Sequence, residues 1–410
     1  MINKYLIVIH TFNNPKLFLR LLSSINANKE TRNNPILILD DSNRNCFSEM
    51  NLALLNQYPD ILKFYVNKSI WHQIKNEWIS PQIENVKIER YLNTIDLGKI
   101  GWNIYNARNI GLILSTIFLN NTSFSLSLDQ DIIIDNKFSL HNVDNLLLTC
   151  TNIRGCPDLS RLEWIGLFLG YLCNMTNFSF TRVFDDYVNK LFWSLPTEHI
   201  GIILSRYTQF PILSFCQEKE TTKTMTFPPR EEYYGASFIL SNSAINLYPF
   251  SNWYDNDWLF FKSIRGNLHD LHFYQSYVDH EQEKKEINSI KWLEFEETGK
   301  ILNEIYYELV SRKMLTDNAY ENIVNRRINI IENEIRYCKL ILKDGSVDER
   351  LLTIINQILS NLQMLKVYVR KLNKTYLESQ AKSFIYQIAL WRELIYKIIH
   401  FKRTFYLTNV

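Results

Sequence analysis

Apolar and polar positions alternate along the first third of the chain in two rhythms. Residues 5–10 form a short β-branched apolar run, and residues 15–25 follow with Leu17, Leu21, Leu22 and Ile25 at helical spacing. A second apolar strand at 36–39 ends in Asp40-Asp41-Ser42-Asn43, residues 47–57 are again helical, and 62–66 give a third strand. A longer amphipathic helix at 101–119 leads to a fourth strand at 124–128, which ends in Asp129-Gln130-Asp131. Strands alternating with helices predict an α/β fold with a mostly parallel sheet covered on both faces. Ligands of such sheets sit beyond the carboxyl ends of the strands. The polar residues gather there: Thr11 and Asn13, Asp40 and Asp41, Asp129 and Asp131.

Residues 139–226 are rich in aromatics and predict short helices mixed with loops, and the polar stretch 217–230 predicts a surface loop. Strands are expected again at 233–240 and 271–278, with a short helix opening at Trp253 between them. After Trp292 the pattern is helical only. Ile328, Ile331, Ile335, Cys338 and Leu342 keep one stripe up to Asp344-Gly345-Ser346. Beyond that turn Leu351, Ile355, Ile358, Leu362, Leu365, Val369, Leu372 and Tyr376 step by fours and threes, an uninterrupted heptad seam opened by a Ser346/Glu349 capping box. Two seams joined by Asp-Gly predict an antiparallel helical hairpin, and Phe384, Ile388, Trp391, Ile395 and Ile398 a last helix. The division expected is a sheet domain over 1–292 and an all-helical domain over 293–410.

Charge and composition narrow the classes. With 45 Lys+Arg against 43 Asp+Glu among 410 residues, the net charge of +2 excludes a strongly basic nucleic-acid binder, and no nucleic-acid partner is expected. At 46% hydrophobic residues the chain can fill a large core. The six cysteines show no C-x-x-C pair and read as free thiols of a reducing compartment. The N-terminal apolar run is too short for a signal peptide, and no uncharged run reaches the length of a membrane span. A cytoplasmic protein is expected. Its last helix, with basic and aromatic residues from Trp391 to Tyr406, offers a peripheral contact with an anionic membrane, and its heptad seam a homodimer contact. P-loop, dinucleotide-fingerprint and nucleophile-elbow motifs are absent.

The feature with most chemistry is Asp129-Gln130-Asp131, two carboxylates at a strand end able to share a hard divalent cation with phosphate oxygens and water. It does not stand alone. Thr11-Phe12-Asn13, Asp40-Asp41-Ser42, Ala107-Arg108-Asn109-Ile110-Gly111-Leu112, Asp129-Gln130-Asp131, Gly235-Ala236-Ser237 and Asn256-Asp257-Trp258 follow in that order. The series resembles family 2-like glycosyltransferases of the GT-A fold, over residues 1–281.

The resemblance implies a Rossmann-like GT-A sheet domain, a nucleoside-diphosphate-sugar donor, a Mn2+ or Mg2+ cofactor, and a glycan, lipid-linked or protein acceptor, in bacterial surface-glycan or glycoconjugate synthesis. Thr11 and Asn13 would line the nucleotide, Asp41 would accept from the base with Arg108 nearby, and Asp129 would face ribose or metal. Asp131 would hold the metal, with His280 as a further ligand and His272 in reserve. Asp257 would be the general base of an inverting transfer, with Asp255 and Trp258 on the acceptor side. Asn256 stands where the family commonly has Glu, and Asp255 is the alternative base. Retention is the alternative outcome, with Asp257 binding the acceptor. His10 is expected to be structural. Trp253 fits sugar stacking and core packing equally. The rival functions are a nucleotidyltransferase and a non-catalytic scaffold that binds a partner through its helices.

Overall fold

The computed structural model describes residues 5–98, 104–119, 123–140, 148–155, 161–162, 165, 169, 237–241, 244–245, 247–254, 256–265, 272–280, 289–343 and 349–408. The expected loop at 217–230 and the Ser346 cap lie outside them. The chain opens with β1 (Tyr5–Thr11), α1 (Pro15–Ala27), β2 (Ile36–Asp40), α2 (Asn45–Asn56), β3 (Lys63–Val66) and α3 (Lys68–Ile74). Then come α4 (Val86–Thr94), α5 (Ile104–Phe118), β4 (Phe124–Asp129), β5 (Ile132–Ile134) and β6 (Leu148–Gly155). β7 (Ser237–Ser241), α6 (Asn256–Arg265) and β8 (His272–His280) complete the sheet half. The helices α7 (Ile290–Arg312), α8 (Asp317–Lys343), α9 (Glu349–Arg370) and α10 (Lys374–Thr408) follow.

The strands lie in the order β3-β2-β1-β4-β7-β6-β8-β5. β1 pairs parallel with β2 and β4, and β2 with β3. Beyond β4 the sheet is mixed: β7 is antiparallel to β4 and β6, β6 runs parallel to β8, and β5 returns antiparallel to β8. An α/β sheet half followed by a run of helices is therefore the architecture. The short β5 and the polar β6 escape the sequence pattern, because three residues carry no period and Thr149, Thr151 and Asn152 interrupt any apolar run.

β1 is buried along its whole length, as a central strand covered on both faces must be. Its alternate residues serve opposite layers. Ile7 and Ile9 join Ile36 and Ile38 over α1, whose Phe18, Leu21, Leu22 and Ile25 fill that face. Leu6 and Val8 join Leu37 and Leu39 under α5. Asn14 caps α1 by accepting from Leu17 N, and Pro15 at the first helical position lacks an N–H that would go unused. Gly111 lets α5 lie close to the sheet, since a Cβ there would sit 2.9 Å from Leu39 Cδ1 and 3.2 Å from Val8 Cγ1.

The helical region departs from the expected pattern in two places. The seam Ile355, Ile358, Leu362, Leu365 and Val369 is fully buried within the chain. It stops at Arg370, however, and Tyr376 is 61% exposed on the next helix. Asn373 makes the break, its Oδ1 accepting from Tyr376 N (3.0 Å) as the N-cap of α10. The antiparallel hairpin is present: Lys374 meets Asp317 and Lys366 meets Glu332, so α9 runs back along α8. The second concerns Trp391, which stands both in the apolar stripe of the last helix and in the stretch offered to a membrane. It is fully buried, and its indole donates to Ile245 O (2.9 Å). Lys402 likewise turns inward, donating to Leu119 O (2.5 Å) and Thr116 O (3.2 Å) at the end of α5. Among the described residues no helix is long and apolar enough to cross a membrane.

Candidate active site

The carboxyl ends of β1, β2 and β4 are locked together by side chains that the turns supply. Gln130, the middle residue of Asp129-Gln130-Asp131, accepts at Oε1 from Thr11 Oγ1 (2.9 Å) and Phe12 N (2.8 Å), and donates from Nε2 to Phe12 O (2.9 Å). Thr11 is buried and spends its hydroxyl on this brace. Asn13 adopts φ 50°, a left-handed conformation that Asn tolerates. Its amide N donates to Ser42 Oγ (3.0 Å), and its side chain exchanges hydrogen bonds with Asn43.

Asp40 and Asp41 have different employment. Asp40 is buried and saturated: it accepts from Asn51 Nδ2 (3.0 Å), from Ser42 N (2.9 Å) and from the Tyr65 hydroxyl. Asp41 accepts from Gly98 N (2.7 Å), and Gly98 holds φ 69°, where a side chain would strain the backbone. The hydroxyl of Tyr105 on α5 feels the same carboxylate, its pKa raised by burial first and by Asp41 second. No sequence pattern marks Gly98 for this role, and Tyr105 stands one helical turn before Arg108 with no role of its own in the motif.

Arg108 organises the centre. It is buried, donating from Nη2 to Asp129 Oδ2 (3.0 Å) and from Nη1 to Asn256 Oδ1 (3.0 Å). Nη1 also lies 4.0 Å from Asp257 Oδ2, and the guanidinium carbon sits 5.4 Å from the centre of the Phe250 ring. The next residue, Asn109, clamps the Phe250 backbone from both sides: Nδ2 donates to its O (3.0 Å) and Oδ1 accepts from its N (2.7 Å). The Arg-Asn pair thus ties α5 to the segment entering α6. Arg108 donates to Asp129 and to the start of α6, and Tyr105 on the same helix feels the charge of Asp41.

Asp129 is pushed up to about 7, chiefly by burial and further by the charges of Asp131 and Asp257, with Arg108 opposing. Its Oδ1 is buried without a hydrogen-bond partner. Behind Arg108, His10 Nε2 pairs with Ser127 Oγ (3.0 Å), and burial followed by the Arg108 charge lowers its pKa to about 3. His10 is therefore a neutral structural residue.

Asp129 and Asp257 thus face one buried guanidinium, and Asp131 lies near enough to Asp129 to raise its pKa. Among the described residues no three His, Cys, Asp or Glu side chains form a metal-holding group. The pair Asp129 and Asp131, with one unpartnered buried oxygen, suits a divalent ion that takes its other ligands from phosphate and water. His280 pairs with Ile132, beside Asp131, at the end of β8, and His272 begins that strand. Trp258 is the third residue of α6, and Asp255 lies outside the described residues. Trp253 is core: 5% exposed, its indole donates to Asn303 Oδ1 (2.6 Å).

No protein-family model matches the chain, and no curated protein matches it. Among solved structures it is similar to the mannosyltransferase PcManGT from Pyrobaculum calidifontis in complex with GDP-Man and Mn2+, with TM-score 0.41 and 10% identity over 95% of this chain and 86% of that one. It is also similar to S. aureus TarS, with TM-score 0.36 and 12% identity over 93% of this chain and 55% of that one, so this chain spans about half the length of TarS. Both superpositions are loose.

Proposed function

We propose that this protein is a metal-dependent glycosyltransferase that moves a sugar from a nucleoside-diphosphate donor to an acceptor hydroxyl on a glycan, lipid-linked or protein substrate. The observation that supports it most is the Arg108 bridge. It joins Asp129, at the end of a parallel strand, to Asn256 and Asp257, which enter from the far part of the sheet half. Such a bridge suits two reacting partners that must meet, one on each side.

On the donor side Asn13, Asp41, Gly98 and Tyr105 would surround the nucleoside, with Thr11 bracing the turn that presents Asp129 and Asp131. A Mn2+ or Mg2+ held by Asp131 with Asp129, and by His280 from β8, would neutralise charge building on the leaving diphosphate. On the other side Asp255 and Trp258 would hold the acceptor, and Asp257 would take its hydroxyl proton. The acceptor oxygen bonds to the anomeric carbon as the bond to the diphosphate oxygen breaks. The electron pair leaves with the diphosphate, and the configuration inverts.

The test is thermal stability against UDP, GDP, CDP, ADP and dTDP, each with and without Mn2+. A ligand that binds the native state raises the melting temperature according to its concentration relative to Kd. One nucleoside diphosphate should stabilise the protein with Mn2+, and Asp131→Ala should abolish the metal-dependent part. Asp257→Asn should keep that stabilisation and lower turnover by about 10²–10⁴-fold. Absence of any shift in the folded wild type would overturn the donor site.

A further inference from the structure

The segment that leads into Asp257 is also gripped by the C-terminal helices. Trp253 donates its indole N–H to Asn303 Oδ1 of α7 at 2.6 Å, and both residues are buried. The ring of Phe384 on α10 meets Trp253 edge-on at 5.0 Å, and Phe295 on α7 meets Tyr254 edge-on at 6.3 Å. Between these contacts α7 carries Gly299. A Cβ there would fall 2.6 Å from Tyr254 Cβ, 2.8 Å from its N and 2.9 Å from its Cα. The helix therefore lies directly against the backbone of Tyr254, a fit that Gly permits and that no side chain could share. Three residues further along is Asp257, at the first turn of α6.

We propose that the C-terminal helices are a positioning element of the active site, with Asn303, Gly299 and Phe384 as positioning residues that hold the 253–257 segment so that Asp257 faces the reacting atoms. Arg108 meets that segment at Asn256 and Asp257, Asn109 clamps Phe250 just before it, and the helices hold it at Trp253 and Tyr254. None of the three helical residues belongs to the donor-side set. Loosening the helical grip misplaces the base without disturbing the nucleotide, and a misplacement of an ångström is enough to slow a reaction greatly. The role of Asp257 rests on the glycosyltransferase reading, whereas the grip itself does not.

The test uses the full chain with Asn303→Leu, which leaves the Trp253 N–H buried without an acceptor, and Asn303→Asp, which keeps one. Phe384→Leu serves as a milder second variant should Asn303→Leu fail to fold. Hydrogen–deuterium exchange should rise in peptides spanning 250–258 for Asn303→Leu and Phe384→Leu, stay unchanged at 5–13 and 124–131, and return to wild type in Asn303→Asp. The Kd for the nucleoside diphosphate that stabilises the wild type with Mn2+ should stay within twofold. Turnover, read as release of that diphosphate from its sugar donors, should fall at least tenfold in Asn303→Leu and recover in Asn303→Asp. Unchanged exchange at 250–258 would overturn the proposal, as would turnover that survives the loosening or nucleotide affinity that falls with it. If no nucleoside diphosphate binds the wild type, the glycosyltransferase reading fails, and the exchange data still decide the grip.

Discussion

Arg108 brings a buried positive charge against Asp129 and within 4.0 Å of Asp257, and Asp131 adds a negative charge near Asp129. Removing one partner of a buried ion pair leaves an uncompensated charge, which costs about 3–5 kcal/mol. Arg108→Met should therefore lower the free energy of unfolding by that order, measured by chemical denaturation at neutral pH. Arg108→Lys keeps the charge but has a single nitrogen where the guanidinium reaches Asp129 and Asn256 with two, so it should recover only part of the loss. Neutral His10 behind Arg108 adds no second charge, as burial keeps its pKa far below the usual range. Much of this centre was legible in the sequence, because Asp129, Asp131 and Arg108 sit at strand ends and on a helix that local patterns place. Three parts were not: the Gln130 brace, the acceptance by Asn256, and the division of labour between Asp40 and Asp41. Each depends on partners tens of residues away, and a brace built from Gln, Thr and Asn leaves no periodic trace.

Helix ends and helix faces were legible to different degrees. The heptad seam marks the buried face of α9 correctly, but spacing alone cannot see a break that keeps the period. Asn373 interrupts the helix while the apolar steps continue through Leu372 to Tyr376. Asn373→Ala should cost about 1 kcal/mol by removing the cap of α10. Glu334 on α8 is a second element-scale misfit: it is 9% exposed, its Oε2 has no partner, and burial pushes its pKa up to about 7. Near pH 3 the carboxyl is neutral in both folded and unfolded chains, so its burial costs no charge there. As pH rises toward 7 the unfolded chain ionises first and stability falls, until the folded carboxyl ionises too. Glu334→Gln should leave stability at pH 3 unchanged and raise it at pH 8 by about 1–3 kcal/mol. Equal effects at both pH values would show that the carboxyl finds a partner in solution.

Among the described residues two core clusters take opposite faces of the sheet and a third lies among the C-terminal helices, and neither half of the chain keeps to its own. Trp391, Leu394, Ile395 and Ile398 of the last helix pack on the same face as Leu6, Val8, Leu37 and Ile110. Trp253 and Leu259, from the sheet half, belong instead to the cluster built by α7, α8, α9 and α10. The division at 292/293 that the change of pattern suggests marks where strands give way to helices. Core clusters include residues from both sides of it. Sequence periodicity reports which face of an element is buried but not against what, so the return of α10 onto α5 had no signal beyond Trp391 itself. Two consequences are measurable. Trp391→Ala empties a site in the sheet core and leaves Ile245 O without its donor, at a cost of about 3–5 kcal/mol. Because that core is common property, the full chain should unfold in a single transition, with far-ultraviolet circular dichroism and tryptophan fluorescence coinciding. A fragment of residues 1–292 would expose the face that α10 covers and lose the grip on Trp253, so it should show no cooperative melt. Two separated transitions in the full chain, with a cooperative fragment matching one of them, would mean the sheet half stands alone. The helices would then be an addition to the site and not a part of its frame.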